Sequence, residues 1–280
     1  MLLGELLQGI AYERVSRFED REIAGITTDS KHVMKGDLFV CFSGGEHDGH
    51  EYAAEALAAG ASALAVEREL PLPAPQIVVK DGRKAAGEIA AAFYEHPEEK
   101  LKVIGVTGTN GKTTTCHMLA SILTAAGKEC GIIGTLGIRY ANREISPDLT
   151  TPHPPYLYKI FADMAEAGVE YVVMEVSAHA LYFGKVDGVR FEAGIFTNFT
   201  EDHLDFFKTM DAYAAAKEKL FEKGRCRFSV FNFDDAEGRK IAASCDNAYS
   251  YALENPADVF AVDIRENFDG CSYVINLFDE

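Results

Sequence analysis

The run Val103-Ile104-Gly105-Val106-Thr107-Gly108-Thr109-Asn110-Gly111-Lys112-Thr113-Thr114-Thr115 constrains the fold of this chain more than any other stretch. Val103, Ile104 and Val106 are β-formers, and Gly108 and Gly111 allow a backbone that a Cβ would obstruct. Beyond the turn, Leu119, Ile122, Leu123 and Ala126 recur at helical spacing, and Gly127 supplies a stop. The run therefore predicts a buried strand, a tight glycine turn and the start of a helix. Backbone N–H groups at a helix N-terminus, with a lysine beside them, make a phosphate site. Val106 stands where the general phosphate-loop pattern has a glycine, so the core is the shorter Gly-Thr-Asn-Gly-Lys-Thr. The plain alternative is a turn with Lys112 as a solvated charge. Lys-Thr at a helix start has no obvious folding use, which favours phosphate.

The 280 residues are enough for two domains with sizeable cores, and 48% hydrophobic residues exclude a disordered chain. A net charge of −17 argues against a nucleic-acid or anionic-membrane surface, since both need basic patches. Anionic small substrates stay open, because local lysines and magnesium can bind them. None of the six cysteines falls in a Cys-x-x-Cys pair, so they read as reduced residues of a cytoplasmic protein. The first residues carry no basic segment followed by an apolar run, and no window is long enough to span a membrane. The expectation is therefore an address without signal peptide or membrane anchor.

Residues 1–96 read as a small α/β domain. Its expected elements are a short helix around Leu2–Leu7, strands at Asp37–Phe42, Ala63–Val66 and Ile77–Val79, and helices at Tyr52–Ala59 and Arg83–Tyr94. His96-Pro97-Glu98-Glu99-Lys100 is polar and contains proline, which suggests the boundary. From residue 97 to 280 strands and helices alternate, implying a central domain with a mainly parallel sheet flanked by helices. The chain ends in a hairpin signalled by Asp269-Gly270. The fold class is α/β, with a phosphate-loop central domain.

In such a sheet, ligands collect at the carboxyl ends of the strands. The apolar strand from Tyr171 ends at Glu175, where a nucleotide-bound magnesium would need an oxygen ligand; an acid capping a strand loop is the plain alternative. Ser177 and His179 follow. A strand ending at Thr197-Asn198 leads to Asp202-His203-Leu204-Asp205, where His203 is either a ligand or simply exposed. Thr150 and Thr151 precede a helix; Thr151 could cap it, or the pair could present hydroxyls to a substrate. On periodicity alone Lys217 is an ordinary helix-surface lysine.

Together these residues resemble the Mur ligases of peptidoglycan synthesis. The motifs, in order, are Gly108-Thr-Asn-Gly-Lys-Thr-Thr, Leu149-Thr-Thr-Pro, Met174-Glu-Val-Ser-Ala-His-Ala, Asp202-His-Leu-Asp and Asp211-Ala-Tyr-Ala-Ala-Ala-Lys. In the first domain, Thr27-Thr28-Asp29-Ser30-Lys31 and Gly36-Asp37-Leu38-Phe39-Val40 look like the family's UDP-binding region. The loop is shared with folylpolyglutamate synthetases. The Thr-Thr-Pro and first-domain segments favour the branch that adds the third residue, using UDP-N-acetylmuramoyl-L-alanyl-D-glutamate, ATP and a diamino acid.

The resemblance implies a role for each matching residue. Ser30 would contact UDP. Gly108, Thr109, Asn110, Gly111, Lys112, Thr113 and Thr114 would bind ATP phosphates. Thr113, Glu175 and His203 would hold Mg2+. Thr150, Thr151 and Ser177 would contact the muramoyl dipeptide, and Lys217 would carry a carbamate beside the metal. Lys112, Glu175, His203 and Lys217 are thus the implied catalytic set. The family commonly has serine, glutamine and arginine where Ala178, Phe183 and Lys185 stand here. Lys185 keeps the positive charge for substrate without arginine's bidentate fork. The resemblance further implies a third, C-terminal domain with the amino-acid pocket, which these residues do not include, so a chain of this length is expected to bind but ligate poorly. Meso-diaminopimelate is the first expectation for the added residue, with L-lysine next. A folylpolyglutamate synthetase-like ligase and a non-catalytic nucleotide-binding module are the other readings. No protein partner is legible.

Overall fold

The structure, a computed structural model, describes residues 1–44, 47–146, 149–268 and 270–278. Gly45 and Glu46 of the glycine-rich loop and Asp269 of the hairpin signal lie outside the described residues. The chain forms two compact units interleaved in sequence. The first comprises Met1–Lys100, Pro152–Glu166 and Phe183–Gly188, and the second Leu101–Thr151, Ala167–Tyr182 and Val189–Glu280.

The first unit begins with a short helix, α1 (Leu3–Leu6), and strands β1 (Arg14–Ser16), β2 (Gly25–Thr27) and β3 (Asp37–Val40). Helix α2 (Ala53–Ala59), strands β4 (Ala63–Val66) and β5 (Gln76–Val78) and helix α3 (Gly82–Phe93) follow. The five strands order as β1-β5-β4-β3-β2, parallel except for β1. Strands buried on both faces read as continuous apolar runs. In β3, Leu38 and Val40 join Ile77, Val79 and Ile89 on one side, while Phe39 packs with Ala53, Leu64 and Val66 on the other. Asp81 starts α3 by accepting bonds from the Arg83 and Lys84 amides.

In the second unit, β6 (Lys102–Thr107) leads to α4 (Lys112–Ala125), β7 (Cys130–Gly134), β8 (Gly137–Tyr140) and β9 (Arg143–Ile145). Helix α5 (Pro154–Glu166) returns to the first unit, where it packs on α3 and buries Leu157, Ile160, Phe161 and Met164. The second unit continues with β10 (Tyr171–Glu175), α6 (Ala178–Tyr182), β11 (Phe191–Phe196), α7 (Leu204–Phe207), α8 (Met210–Glu218) and β12 (Cys226–Asn232). It closes with α9 (Ala236–Ala242), β13 (Ala248–Ala252), β14 (Val259–Asn267) and β15 (Gly270–Leu277).

The strand order is β15-β14-β13-β12-β11-β6-β10-β7-β8-β9, parallel from β14 to β7 and antiparallel at both edges. Chain order reverses at β6, between β10 and β11. Such a switch point opens a crevice at the strands' carboxyl ends. The expected parallel α/β core is present, and the terminal hairpin forms as β14 and β15. Short elements without periodicity, such as the β8–β9 hairpin and α9, were not legible. No described helix is long and apolar enough to cross a membrane, and all six cysteines are free thiols.

Candidate functional site

The turn after β6 is built by its glycines. Gly108 has φ +140° and Gly111 φ +82°, a region that disfavours side chains. A Cβ on Gly108 would also collide with the Thr197 hydroxyl. Gly108→Ala should therefore destabilise the second unit by about 2–4 kcal/mol, combining backbone strain with overpacking. Urea unfolding would measure this; a loss within error of zero would mean the turn relaxes freely.

The loop is pinned from β11. The Thr109 amide donates to the Asn198 carbonyl at 2.9 Å, and the Asn110 amide to Asn198 Oδ1 at 2.9 Å. Thr197 Oγ1 and Asn198 Nδ2 both donate to the Asn110 carbonyl, at 2.6 and 3.1 Å. These bonds leave the α4 N-terminus facing a cavity of about 300 Å3, lined among others by Lys112, Thr113, Glu175, Ser177, His203 and Lys217.

Lys112 Nζ folds back onto the loop, donating to the carbonyls of Gly108 at 2.9 Å and Thr109 at 2.8 Å. Burial holds its pKa below the usual lysine range, against the opposing pull of Glu175. Glu175 ends β10 and is 2% exposed. Its Oε1 accepts from the Thr113 hydroxyl and the Thr135 amide, each at 2.9 Å, and its Oε2 accepts from the Thr135 hydroxyl at 3.3 Å. The Thr135 and Thr150 hydroxyls share a bond of 2.9 Å. Thr151 is buried, and its hydroxyl donates to the Glu175 carbonyl at 2.9 Å while accepting from the Ser177 amide at 3.1 Å. Thr151 thus braces the end of β10 directly, while Thr150, which lines the cavity, reaches Glu175 through Thr135.

His203 sits opposite, in a left-handed conformation at the start of α7, with its ring 5.0 Å from that of His179 and Nε2 3.4 Å from Asp202. Lys217 corrects the reading from periodicity. It is 1% exposed, on the inward face of α8, with Nζ 4.5 Å from the Tyr213 ring centroid. Burial, aided by repulsion from Lys112, lowers its pKa to about 7. Helix periodicity could not reveal this, because the surface covering Lys217 comes from other elements.

A threonine hydroxyl and a buried carboxylate held by neutral donors supply hard oxygen ligands that fit Mg2+ beside bound phosphates, with the His203 imidazole lining the same cavity. Asn198, Thr135 and Tyr213 were missed by sequence reasoning. The run Thr197-Asn198-Phe199-Thr200 at a strand end was the signal that could have found Asn198.

Ser30 and Lys185 belong to the first unit. Ser30 opens a short 3-10 turn, Ser30–His32, that Asp29 caps through the Lys31 amide. Lys185 is half-buried; desolvation, then the neighbouring Arg83, lowers its pKa to about 8. The Arg83 guanidinium lies 4.6 Å from the Phe42 ring centroid and 5.0 Å from that of Phe183.

Fold and cavity together define an α/β protein of the phosphate-loop class. The Mur ligase middle-domain profile matches residues 106–279, and the Mur ligase catalytic-domain profile matches residues 22–94. The chain belongs to the Mur ligase family. It is 38% identical over 285 residues to the UDP-N-acetylmuramoyl-L-alanyl-D-glutamate–2,6-diaminopimelate ligase of Clostridium perfringens, covering 99% of this chain and 58% of the relative. It is 40% identical over 278 residues to the ligase of the same name from Clostridioides difficile, covering 98% and 57%. A solved structure of a ligase of that name superposes with a TM-score of 0.78 at 28% identity, covering 90% of this chain and 53% of the other. MurF from Acinetobacter baumannii superposes with a TM-score of 0.66 at 27% identity, covering 98% and 60%. The chain thus spans less than three-fifths of the length of these curated relatives.

Proposed function

We propose that this chain is the UDP-substrate- and nucleotide-binding part of an ATP-dependent ligase. That ligase joins 2,6-diaminopimelate to UDP-N-acetylmuramoyl-L-alanyl-D-glutamate. The observation that carries the reading is the single cavity at the switch point, which gathers Lys112, Thr113, Glu175, His203 and Lys217. The relatives' names supply the substrate and the incoming amino acid.

In this reading residues 1–96 serve as the UDP-substrate domain and residues 97–280 as the nucleotide domain. The amides of Gly108 to Thr114 and the Lys112 ammonium bind ATP phosphates and offset their charge. Ser30 and Lys185 contact the UDP-linked substrate, as do Thr150 and Ser177; Thr151 holds Ser177 in place. Thr113, Glu175 and His203 hold Mg2+, which supplies charge neutralisation when bound. Lys217, buried and readily neutral, is suited to react with carbon dioxide, and its carbamate would reverse the local charge. The substrate carboxylate is a poor acyl donor, so transfer of the γ-phosphate first makes an acyl phosphate. The incoming amine then displaces phosphate. The protein's part is mainly orientation and charge stabilisation.

Calorimetry tests this directly. The chain should bind UDP-N-acetylmuramoyl-L-alanyl-D-glutamate and magnesium–ATP, and a folate should not bind. Glu175→Gln should weaken magnesium–ATP about tenfold while leaving metal-free ATP unchanged, since it removes a charge-assisted ligand. Equal loss with and without magnesium would overturn the metal assignment. Binding of folate in place of the UDP-substrate would favour the folylpolyglutamate-type reading.

A further inference from the structure

The first unit contains another cavity, of about 310 Å3, with His96, Glu98, Glu99 and Tyr158 in its lining. One side-chain ligand atom from each of His96, Glu98 and Glu99 lies within 4.8 Å of the other two. His96 Nδ1 and Glu98 Oε1 are 3.1 Å apart. Neighbouring donors around a metal with bonds of about 2.1 Å have a similar separation.

Proximity of acids in a turn is not by itself a site, and two further observations point to a ligand. The Glu98 side chain is only 8% exposed, and its second oxygen, Oε2, is buried without a hydrogen-bond partner among the described residues. Tyr158 approaches from α5, is 1% exposed, and its hydroxyl is likewise buried without a partner among the described residues. Buried oxygens are normally satisfied, and leaving a carboxylate oxygen bare is costly. Two such atoms around one cavity, from elements far apart in sequence, leave room for a species that satisfies both. Glu88 and Asp187 add negative charge to the lining, against Lys84 and Lys185, and Lys84 pairs with Glu88 at 3.4 Å.

We propose that His96, Glu98 and Glu99 bind a divalent transition-metal cation of the zinc or manganese kind, at a site separate from the phosphate-loop cavity. An imidazole with two carboxylates is a donor set that suits such ions. Glu98 Oε2 becomes a ligand or accepts from a metal-bound water, and the Tyr158 hydroxyl bonds to that water as an outer partner. The cation fastens the turn Pro97–Lys100 that follows α3.

The test uses the full chain, freed of metal with a chelator, in a Glu175→Gln, His203→Gln background that silences the other cavity. Calorimetric titration with Zn2+, and separately with Mn2+, should show a single saturable site. His96→Gln and the exposed-site change Glu99→Gln should each weaken it by about tenfold or more, and Tyr158→Phe by less. Glu98→Gln should abolish it; circular dichroism checks the fold of that variant, and Glu99→Gln remains decisive if it unfolds. Absence of saturable binding, or unchanged affinity in both His96→Gln and Glu99→Gln, would overturn the proposal and leave a water-filled cavity.

Discussion

Lys112→Ala is expected to lower the affinity for magnesium–ATP by roughly thirtyfold, the loss of about 2 kcal/mol from one charged hydrogen-bonding group. In the free chain the ammonium is parked on the Gly108 and Thr109 carbonyls, at 2.9 and 2.8 Å, and burial already disfavours its charge. Phosphate oxygens would replace two neutral acceptors with anionic ones, so most of the gain appears only on binding. The unfolding midpoint without nucleotide should hardly move, because the bonds lost are local to the loop. Calorimetry paired with urea unfolding checks both halves. Unchanged nucleotide affinity would remove Lys112 from the site, and a collapse of stability would make it a structural lysine instead.

Lys217→Met should stabilise the second unit, and the gain should depend on pH. Burial, then repulsion from Lys112, places the folded pKa at about 7, against about 10.4 in an unfolded chain. Between these values the unfolded chain binds more protons, so stability rises with pH across that window. Below about pH 7 the amine is charged in both states and the full cost of burying it remains. At ~1.36 kcal/mol per unit, the cost is at most about 5 kcal/mol. Methionine removes it while keeping the packing volume. Urea unfolding should show the variant ahead by a few kcal/mol near pH 6, with the gap closing toward pH 10. Added bicarbonate near pH 8 should stabilise the parent and not the variant, if the amine accepts carbon dioxide. A gap of the same size at every pH would mean that Lys217 does not titrate as its burial implies.

The two variants separate what the sequence could and could not show about neighbouring positions. Lys112 was legible because its neighbours in sequence are its neighbours in space: the glycines, the helix start and the lysine make one local turn. Glu175 was legible for a related reason, since an apolar strand that ends in an acid places that acid at the carboxyl edge of the sheet. Lys217 was not legible from its own helix. Its Nζ lies over the Tyr213 ring of the same helix, and residues from other elements, Glu175, Ala178 and His203, line the cavity beside it. Thr151 shows the same limit. Its hydroxyl could have faced a substrate, yet it bonds to the Glu175 carbonyl across 24 positions. Helix α5 reads as amphipathic, but periodicity does not say which core its apolar face joins.

By itself the sequence determined the strand–loop–helix at Gly108, the alternation that makes a parallel sheet, and the order of motifs that marks a Mur ligase. These depend on local backbone sterics and on periodic burial, both written in short windows. Only the tertiary structure decided that chain order reverses at β6, that Asn198 grips the loop from β11, and that Lys217 lies buried beside the same cavity. Those outcomes depend on which distant surfaces exclude water from one another, and that is a property of the assembled sheet and helices rather than of any single stretch.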